Sequence, residues 1–244
     1  MKILFLDLET SPNLAHVWGL WDQNVSINQL VSSTEVICFG ARWMGEKKTL
    51  FRSVHHDGKK VMLDELHKLM DEADVLVGWN SMAFDSKHIK REFVENGYLP
   101  PSPYKELDLM RVVKDQFKFP SNKLDYVSQK LGVGAKVKHS GFDLWLGCMA
   151  GDKKAWVEMK KYQIQDVDLL LDLYDILLPW IKNHPHKGLH DTETDGCPNC
   201  GSNKLIARGV THTAAQSYKR YSCNNCGKWS RGNKPIGKIT YRSI

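Results

Sequence analysis

The sequence predicts an α/β domain followed by a small cysteine-stapled module, on the strength of three observations. Short apolar runs alternate with segments of helical period from residue 3 to residue 180. Four of the six cysteines fall as two Cys-x-x-Cys pairs near the C-terminus, Cys197/Cys200 and Cys223/Cys226. The charge divides at the same place: nine of the 34 Lys and Arg, and none of the 28 Asp and Glu, lie in residues 196–244. The first 195 residues therefore carry 25 basic against 28 acidic groups, while the tail is purely basic.

Taken in order, Ile3, Leu4, Phe5 and Leu6 form a run without turn residues and read as a buried central strand. It ends in Asp7 and Glu9, which sit two apart and so share one strand face. Two carboxylates at the end of a buried strand repel each other, and burial raises the cost. A divalent cation relieves this; an edge strand with two solvated acids is the alternative. Residues 11–34 hold no clear period but carry Trp18, Leu20, Trp21 and Leu30. The two tryptophans read as core aromatics, with stacking on a terminal base as the other option. Residues 35–43 and 48–54 read as strands joined by a turn at Gly45-Glu46. Residues 59–72 place Val61, Leu63, Leu66, Leu69 and Met70 at helical spacing. Residues 73–78 make another short buried strand, followed by a helix over 84–96 that Gly97 stops.

The Pro-rich piece 100–103 leads to a short strand near Glu106, and Asp108 reads as the cap of the next helix, with a place in an acidic cluster as its other reading. Residues 121–131 form an amphipathic helix, followed by a loop with Gly134, Lys136, Lys138, His139 and Gly141. The longest periodic segment, 156–180, carries Met159, Ile164, Val167, Leu170, Leu171, Tyr174 and Leu177, and Pro179 and Pro185 close it. Residues 183–195, polar and with three histidines, read as a linker. The expected organisation is a catalytic-sized domain over 1–182, a linker over 183–195 and a cysteine module over 196–244.

Composition narrows the class. An apolar fraction of 42% with 10% aromatics suffices for a core and excludes a disordered chain. No run of 18 apolar residues and no signal-peptide pattern is present, so the expectation is a soluble, cytoplasmic protein without a membrane partner. Cys38 and Cys148 lie singly in apolar surroundings and read as reduced core thiols. The two Cys-x-x-Cys pairs, 22 residues apart and each followed by glycine (Gly201, Gly227), favour one structural Zn²⁺ in a zinc ribbon. Redox pairs and an iron–sulfur cluster are the competing readings. A one-signed basic tail fits a polyanionic partner, most simply nucleic acid; a solubilising extension is the bland alternative. Lys219, Arg220, Trp229 and Arg231, interleaved with Tyr218 and Tyr221, suit single-strand binding by stacking and phosphate contact, and zinc ribbons also dock on proteins.

Two further pieces complete a candidate site. Asp85 follows a buried strand through Asn80-Ser-Met-Ala-Phe84 and sits at a strand-to-helix junction, where α/β sheets place functional groups. Alone it reads as a helix cap. Tyr162 and Asp166, four apart in the long helix, share a face. Alone, Asp166 reads as a salt-bridged surface acid.

Together, Asp7-x-Glu9, Asn80-x-x-x-Phe84-Asp85 and Tyr162-x-x-x-Asp166 resemble, in order and setting, the three motifs of the DEDD 3′–5′ exonucleases. The resemblance is to ribonuclease-H-like proteins related to the proofreading domain of family B DNA polymerases, and it covers roughly residues 1–182. It is to the tyrosine subtype (DEDDy), because the position five before Asp166, where the histidine subtype has His, is Lys161.

The resemblance implies a ribonuclease-H-like mixed sheet flanked by helices, with a small C-terminal zinc ribbon. It implies that Asp7, Glu9, Asp85 and Asp166 hold two Mg²⁺ or Mn²⁺ ions, a donor set of hard oxygens that suits them. By the same analogy Asp7, Glu9 and Asp166 hold the water-side ion, Asp7 and Asp85 the second, and Tyr162 positions the attacking water. Asn80, Lys123, Lys136 and Lys138 are candidate nucleic-acid contacts, solvated loop charge being the other reading of the lysines. The expected activity is removal of nucleotides from the 3′ end of single-stranded DNA, with RNA as the alternative polymer. No polymerase domain fits in the rest of the chain, so a replication or repair role would act in trans with a polymerase or another replication protein. The format resembles proteins of bacteria and of phages, placing it in a bacterial or phage-infected cell. A structure-dependent endonuclease or ribonuclease using the same acids, and a non-catalytic recruitment protein, are the alternatives.

Overall fold

The computed structural model describes residues 1–190 and 195–240. Arg242 of the basic tail, residues 191–194 of the expected linker and the side chain of Lys238 lie outside the described residues.

Strand β1 (Ile3–Thr10) fulfils the reading of its apolar run: residues 3–6 are buried. Strands β2 (Leu14–Ala15) and β3 (Leu30–Ser32) form a separate two-stranded antiparallel ribbon. Then come β4 (Val36–Trp43) and β5 (Leu50–Ser53), helix α1 (Lys59–Glu72), β6 (Val75–Gly78), α2 (Asp85–Glu95) and β7 (Lys105–Asp108). The main sheet has the order β5-β4-β1-β6-β7, so β1 is its centre. β4 runs antiparallel to β1 and β5 antiparallel to β4, while β6 and β7 run parallel to β1. The connections explain this mixture: a short turn suffices between β4 and β5, whereas the parallel neighbours are reached through the helical crossovers α1 and α2.

Four helices follow: α3 (Leu109–Gln116), α4 (Leu124–Lys130), α5 (Phe142–Met149) and α6 (Lys153–Leu177). Asp108 caps α3, its Oδ1 accepting the Met110 N–H at 3.0 Å. The sheet is covered on both faces. Leu4, Leu6 and Leu8 of β1 join Leu63, Leu66 and Met70 of α1 and Ile89 and Phe93 of α2 in one buried cluster. Each such side chain contributes roughly 1.5–3 kcal/mol of transfer free energy. Alternation turns Phe5, Asp7 and Glu9 to the other face. There Cys38 of β4, Leu144 and Cys148 of α5, and Trp156, Met159 and Tyr162 of α6 form a second cluster.

Two features depart from expectation. Helix α5 has no sequence signal, because Phe-Asp-Leu-Trp-Leu-Gly-Cys-Met is apolar at too many positions to show a period. Trp18 and Trp21 are not core: they are 98% and 84% exposed. The β2–β3 ribbon that carries their segment is too narrow to bury two indoles.

The chain divides into two compact units, Lys2–Leu173 and a second running from Tyr174 to the C-terminus. The second holds the end of α6 and a three-stranded antiparallel sheet of order β10-β9-β8, formed by β8 (Leu205–His212), β9 (Gln216–Cys223) and β10 (Trp229–Lys238). Within this second unit the cysteine module is bonded to residues 178 and 181, just past the end of the helix. Asn199 Nδ2 donates to the Leu178 carbonyl at 2.7 Å, and Lys228 Nζ donates to the Ile181 carbonyl at 2.7 Å. The expected linker is partly built in as well, with His184 buried and hydrogen-bonded to the Tyr174 hydroxyl at 2.6 Å. Among the described residues no helix is long and apolar enough to cross a membrane.

Candidate active site

Position 7 of β1 lies opposite Gly40 of β4, and position 9 opposite Cys38. That register matters because Gly40 presents no side chain. A Cβ there would stand 2.9 Å from Val167 Cγ2 and 3.1 Å from Gln163 Cγ. Helix α6 therefore lies directly on the backbone opposite Asp7, and its acidic face reaches the strand pair. Carboxylate oxygens of Asp7, Glu9 and Asp166 all come within 4.8 Å of one another. The sequence separates Asp166 from the other two by more than 150 residues; sheet order and the glycine close that gap.

Asp85 enters from the start of α2. It is buried, and its Oδ1 accepts the Leu8 backbone N–H at 3.2 Å, which ties it to β1 between Asp7 and Glu9. It is therefore a cross-strand anchor rather than the cap of its own helix. Asn80, just after β6, sits in the left-handed region at φ 62°, and its N–H is held by Asp108 Oδ1 at 2.9 Å.

Burial holds the Asp7 carboxyl well above the ordinary carboxylate range, and the charges of Asp85, Asp166 and Glu9 push it the same way. Glu9 is pushed up to about 8, chiefly by burial. Asp85 is pushed up to about 7 by burial, against the backbone N–H groups it accepts. Burial also raises Asp166, although Lys136 opposes it. Burial and the neighbouring carboxylates raise the Tyr162 phenol far above its ordinary value, so it stays protonated.

Lys136 is the internal counter-charge. Its Nζ lies 2.5 Å from Asp166 Oδ2 and 2.9 Å from the Tyr162 hydroxyl. The backbone of the same residue is fixed by Asp125, which accepts the Lys136 N–H at 2.8 Å. Read from the sequence as a loop cation for phosphate, Lys136 is instead drawn into the carboxylates. Lys123 and Lys138 remain exposed on their loops. Around Tyr162 the rings of His139 and Trp145 pack edge-on at 4.9 and 6.2 Å between centroids. Gln163 had no sequence signal beyond its place three before Asp166. It is fully buried, and its Nε2 donates to Asp7 Oδ2 at 2.8 Å. Asp168, which also interrupts the apolar face of α6, points elsewhere and accepts from Arg42 at 2.9 Å and Thr49 at 2.7 Å.

The cluster fits a divalent cation on its own evidence. All four acids offer hard oxygen, burial raises every one of them and neighbouring carboxylates add to this at Asp7, Glu9 and Asp85, and Asp166 Oδ1 is buried with no hydrogen-bond partner. Such an oxygen is costly to bury unless a cation meets it.

In the second unit, Cys197, Cys200, Cys223 and Cys226 also converge, with sulfurs within 4.8 Å of one another and no disulfide formed. Cys197 and Cys226 stand 3.6 Å apart, as do Cys200 and Cys223. Thiolates at ~2.3 Å from a tetrahedral zinc have sulfur–sulfur edges of about 3.8 Å, so the group matches that geometry. Both turns are built alike: Gly201 and Gly227, at φ 76° and 80°, donate their N–H to the carbonyls of Cys197 and Cys223. The cysteine module is compatible with a zinc ribbon. Trp229 is 47% exposed, and Lys219, Arg220 and Arg231 are exposed on its sheet.

A family described as the RNase_H superfamily matches residues 28–178, a span that contains Asp85, Tyr162 and Asp166 but begins after Asp7 and Glu9. No curated protein sequence matches the chain. Among solved structures, the family B DNA polymerase from the hyperthermophilic archaeon Pyrobaculum calidifontis is similar, with a TM-score of 0.56 and 16% identity. The likeness covers 73% of this chain and 24% of that polymerase, and it is a likeness of fold.

Proposed function

The chain belongs to the RNase_H superfamily, and on that premise we propose that it is a metal-dependent 3′–5′ exonuclease acting on single-stranded DNA ends. The observation that carries this reading is the convergence of Asp7, Glu9 and Asp166 within 4.8 Å, with Asp85 tied to the same strand. Asp7, Glu9 and Asp166 would hold one Mg²⁺ or Mn²⁺ ion, and Asp7 with Asp85 a second. Such ions, when bound, activate water and neutralise the leaving oxygen of an in-line phosphodiester displacement.

The chain's own groups do the rest. Tyr162 keeps its proton, so it orients the attacking water through a hydrogen bond and does not act as the base. Gln163 fixes the rotamer of Asp7. A cleft of about 340 Å³ lined by Thr10, Ser11, Pro12, His139, Phe142 and Trp145 begins one residue beyond Glu9 and suits the terminal nucleotide. The four cysteines would hold a structural zinc, and the basic ribbon around it would hold the strand. Such an enzyme would serve DNA replication or repair.

Incubation of 3′- and 5′-labelled single-stranded DNA and RNA with Mg²⁺, Mn²⁺ or EDTA tests the reading. Stepwise shortening from the 3′ end, blocked by EDTA and abolished by Asp7→Asn, is the expected result. Cleavage of a closed single-stranded circle would overturn the exonuclease assignment, and degradation unchanged by Asp7→Asn would overturn the site.

A further inference from the structure

We infer that one face of the C-terminal sheet, carrying Trp229, Arg220 and Arg231, is a preformed binding surface for single-stranded nucleic acid. The assignment rests on the reading of this module as the strand-holding part of a nuclease, and it says which side chains do the holding.

The register of β9 and β10 defines the face. Trp229 pairs with Ser222 and Arg231 with Arg220. Paired residues project to the same side of an antiparallel sheet, so Trp229 and Arg231 share a face with Arg220, and strand alternation adds Tyr218. The diagonal neighbours on that face are cation–π pairs. The Arg220 guanidinium lies 4.7 Å from the Trp229 ring centre, and that of Arg231 lies 4.0 Å from the Tyr218 ring centre. Two aromatics and two guanidinium planes thus form a contiguous row. Arg220 is fixed further by its Nε, which donates to the Arg208 carbonyl at 3.0 Å.

This arrangement suits one class of partner. A guanidinium laid over a ring is oriented before binding and keeps its outer N–H edge for a phosphate, which it meets bidentately. Trp229, half exposed, offers a π-face to a base. Among the described residues no Lys or Arg of the cysteine module is in a salt bridge, and residues 196–244 contain no carboxylate side chain to offer one. The partner must bring the negative charge.

Lys219 is the internal control. Although adjacent to Arg220 in sequence, it alternates to the opposite face, where it pairs with Val210 of β8. Lys228 is excluded for another reason, because its ammonium is spent on the Ile181 carbonyl.

The test compares two charge-matched variants of the full chain: Arg220→Gln/Arg231→Gln on the proposed face, and Lys219→Gln on the opposite face combined with Lys68→Gln, an exposed lysine of α1 outside the cysteine module. Each is combined with Asp7→Asn to stop turnover and checked for retained zinc and an unchanged unfolding midpoint. Binding of fluorescein-labelled dT12 and U12 is measured by anisotropy over a KCl series. The arginine variant is expected to bind at least tenfold more weakly, with the slope of log K against log salt reduced by about 1.4 for two lost phosphate contacts. The lysine variant should lose less than threefold. Trp229→Leu should weaken binding about fivefold or more with the slope unchanged. Equal losses in the two double variants, no loss in either, or tighter binding to a dT12–dA12 duplex would each overturn the assignment. Hydrolysis of a 3′-labelled trinucleotide is followed in parallel with Asp7 intact. Its absence would count against the exonuclease reading, whereas the anisotropy result stands on its own.

Discussion

Lys136→Met removes the cation that, among the described residues, pairs with the carboxylate cluster, while keeping most of the stem. The ammonium is 2.5 Å from a carboxylate that is 1% exposed, and the lysine itself is 28% exposed. Breaking a buried pair by removing one partner costs roughly 3–5 kcal/mol, because the remaining charge is stranded. Water reaches the lysine end of this pair, so the lower figure, about 3 kcal/mol, applies. For a unit the size of Lys2–Leu173, each kcal/mol moves the unfolding midpoint by about 2–4 °C, so the variant should melt about 6–12 °C lower. Calorimetry in buffer without added Mg²⁺ or Mn²⁺ reads this directly. Saturating Mn²⁺ should narrow the gap, since a divalent ion among Asp7, Glu9 and Asp166 replaces the missing charge. An unchanged midpoint without divalent ions, or a gap that widens with Mn²⁺, would show that Lys136 is not the counter-charge of this cluster.

Gly40→Ala should cost about 1–3 kcal/mol by forcing α6 off the strand. It should lower kcat by tenfold or more through the altered Asp7–Asp166 spacing, measured by denaturant unfolding and single-nucleotide release. Stability without divalent ions should fall as pH rises. Glu9 holds its proton to about 8 in the fold against an ordinary 4.5, and Asp85 to about 7 against 3.8, so the folded state binds more protons between roughly pH 4 and 8. Urea midpoints that rise over that window would contradict it. Replacing Cys197 and Cys200 by Ser should abolish zinc binding and unfold the ribbon, since structural zinc supplies about 10–16 kcal/mol in such modules. Metal analysis and limited proteolysis check this, with the Lys2–Leu173 unit expected to remain folded.

What the sequence made legible was whatever a local pattern encodes. Strand β1 with both acids on one face follows from an apolar run and a spacing of two, and the paired cysteine turns from Cys-x-x-Cys-Gly. The parts it hid depend on contacts between distant segments. Nothing near Lys136 says that a Gly- and Lys-rich loop will place its ammonium on a helix 30 residues later. Gln163 looks like any polar helix residue until Gly40 lets it lie beside Asp7. The tryptophans misled for the opposite reason: large aromatics are usually buried, and no local signal marked the β2–β3 ribbon as having nothing to bury them against. The edge between the two units is hidden in the sequence because α6 runs through it without a break in period.

The exposure of Trp18 and Trp21 has a spectroscopic consequence. The chain has eight tryptophans, from Trp156 at 2% exposed to Trp18 at 98%. Intrinsic fluorescence should therefore contain a blue-shifted population from enclosed indoles and a red-shifted, readily quenched one dominated by the β2–β3 arm. Acrylamide will silence the second before the first. Whatever settles on that arm, polymer or protein, will be reported by a colour change in the quenchable fraction alone, without a label attached to the molecule.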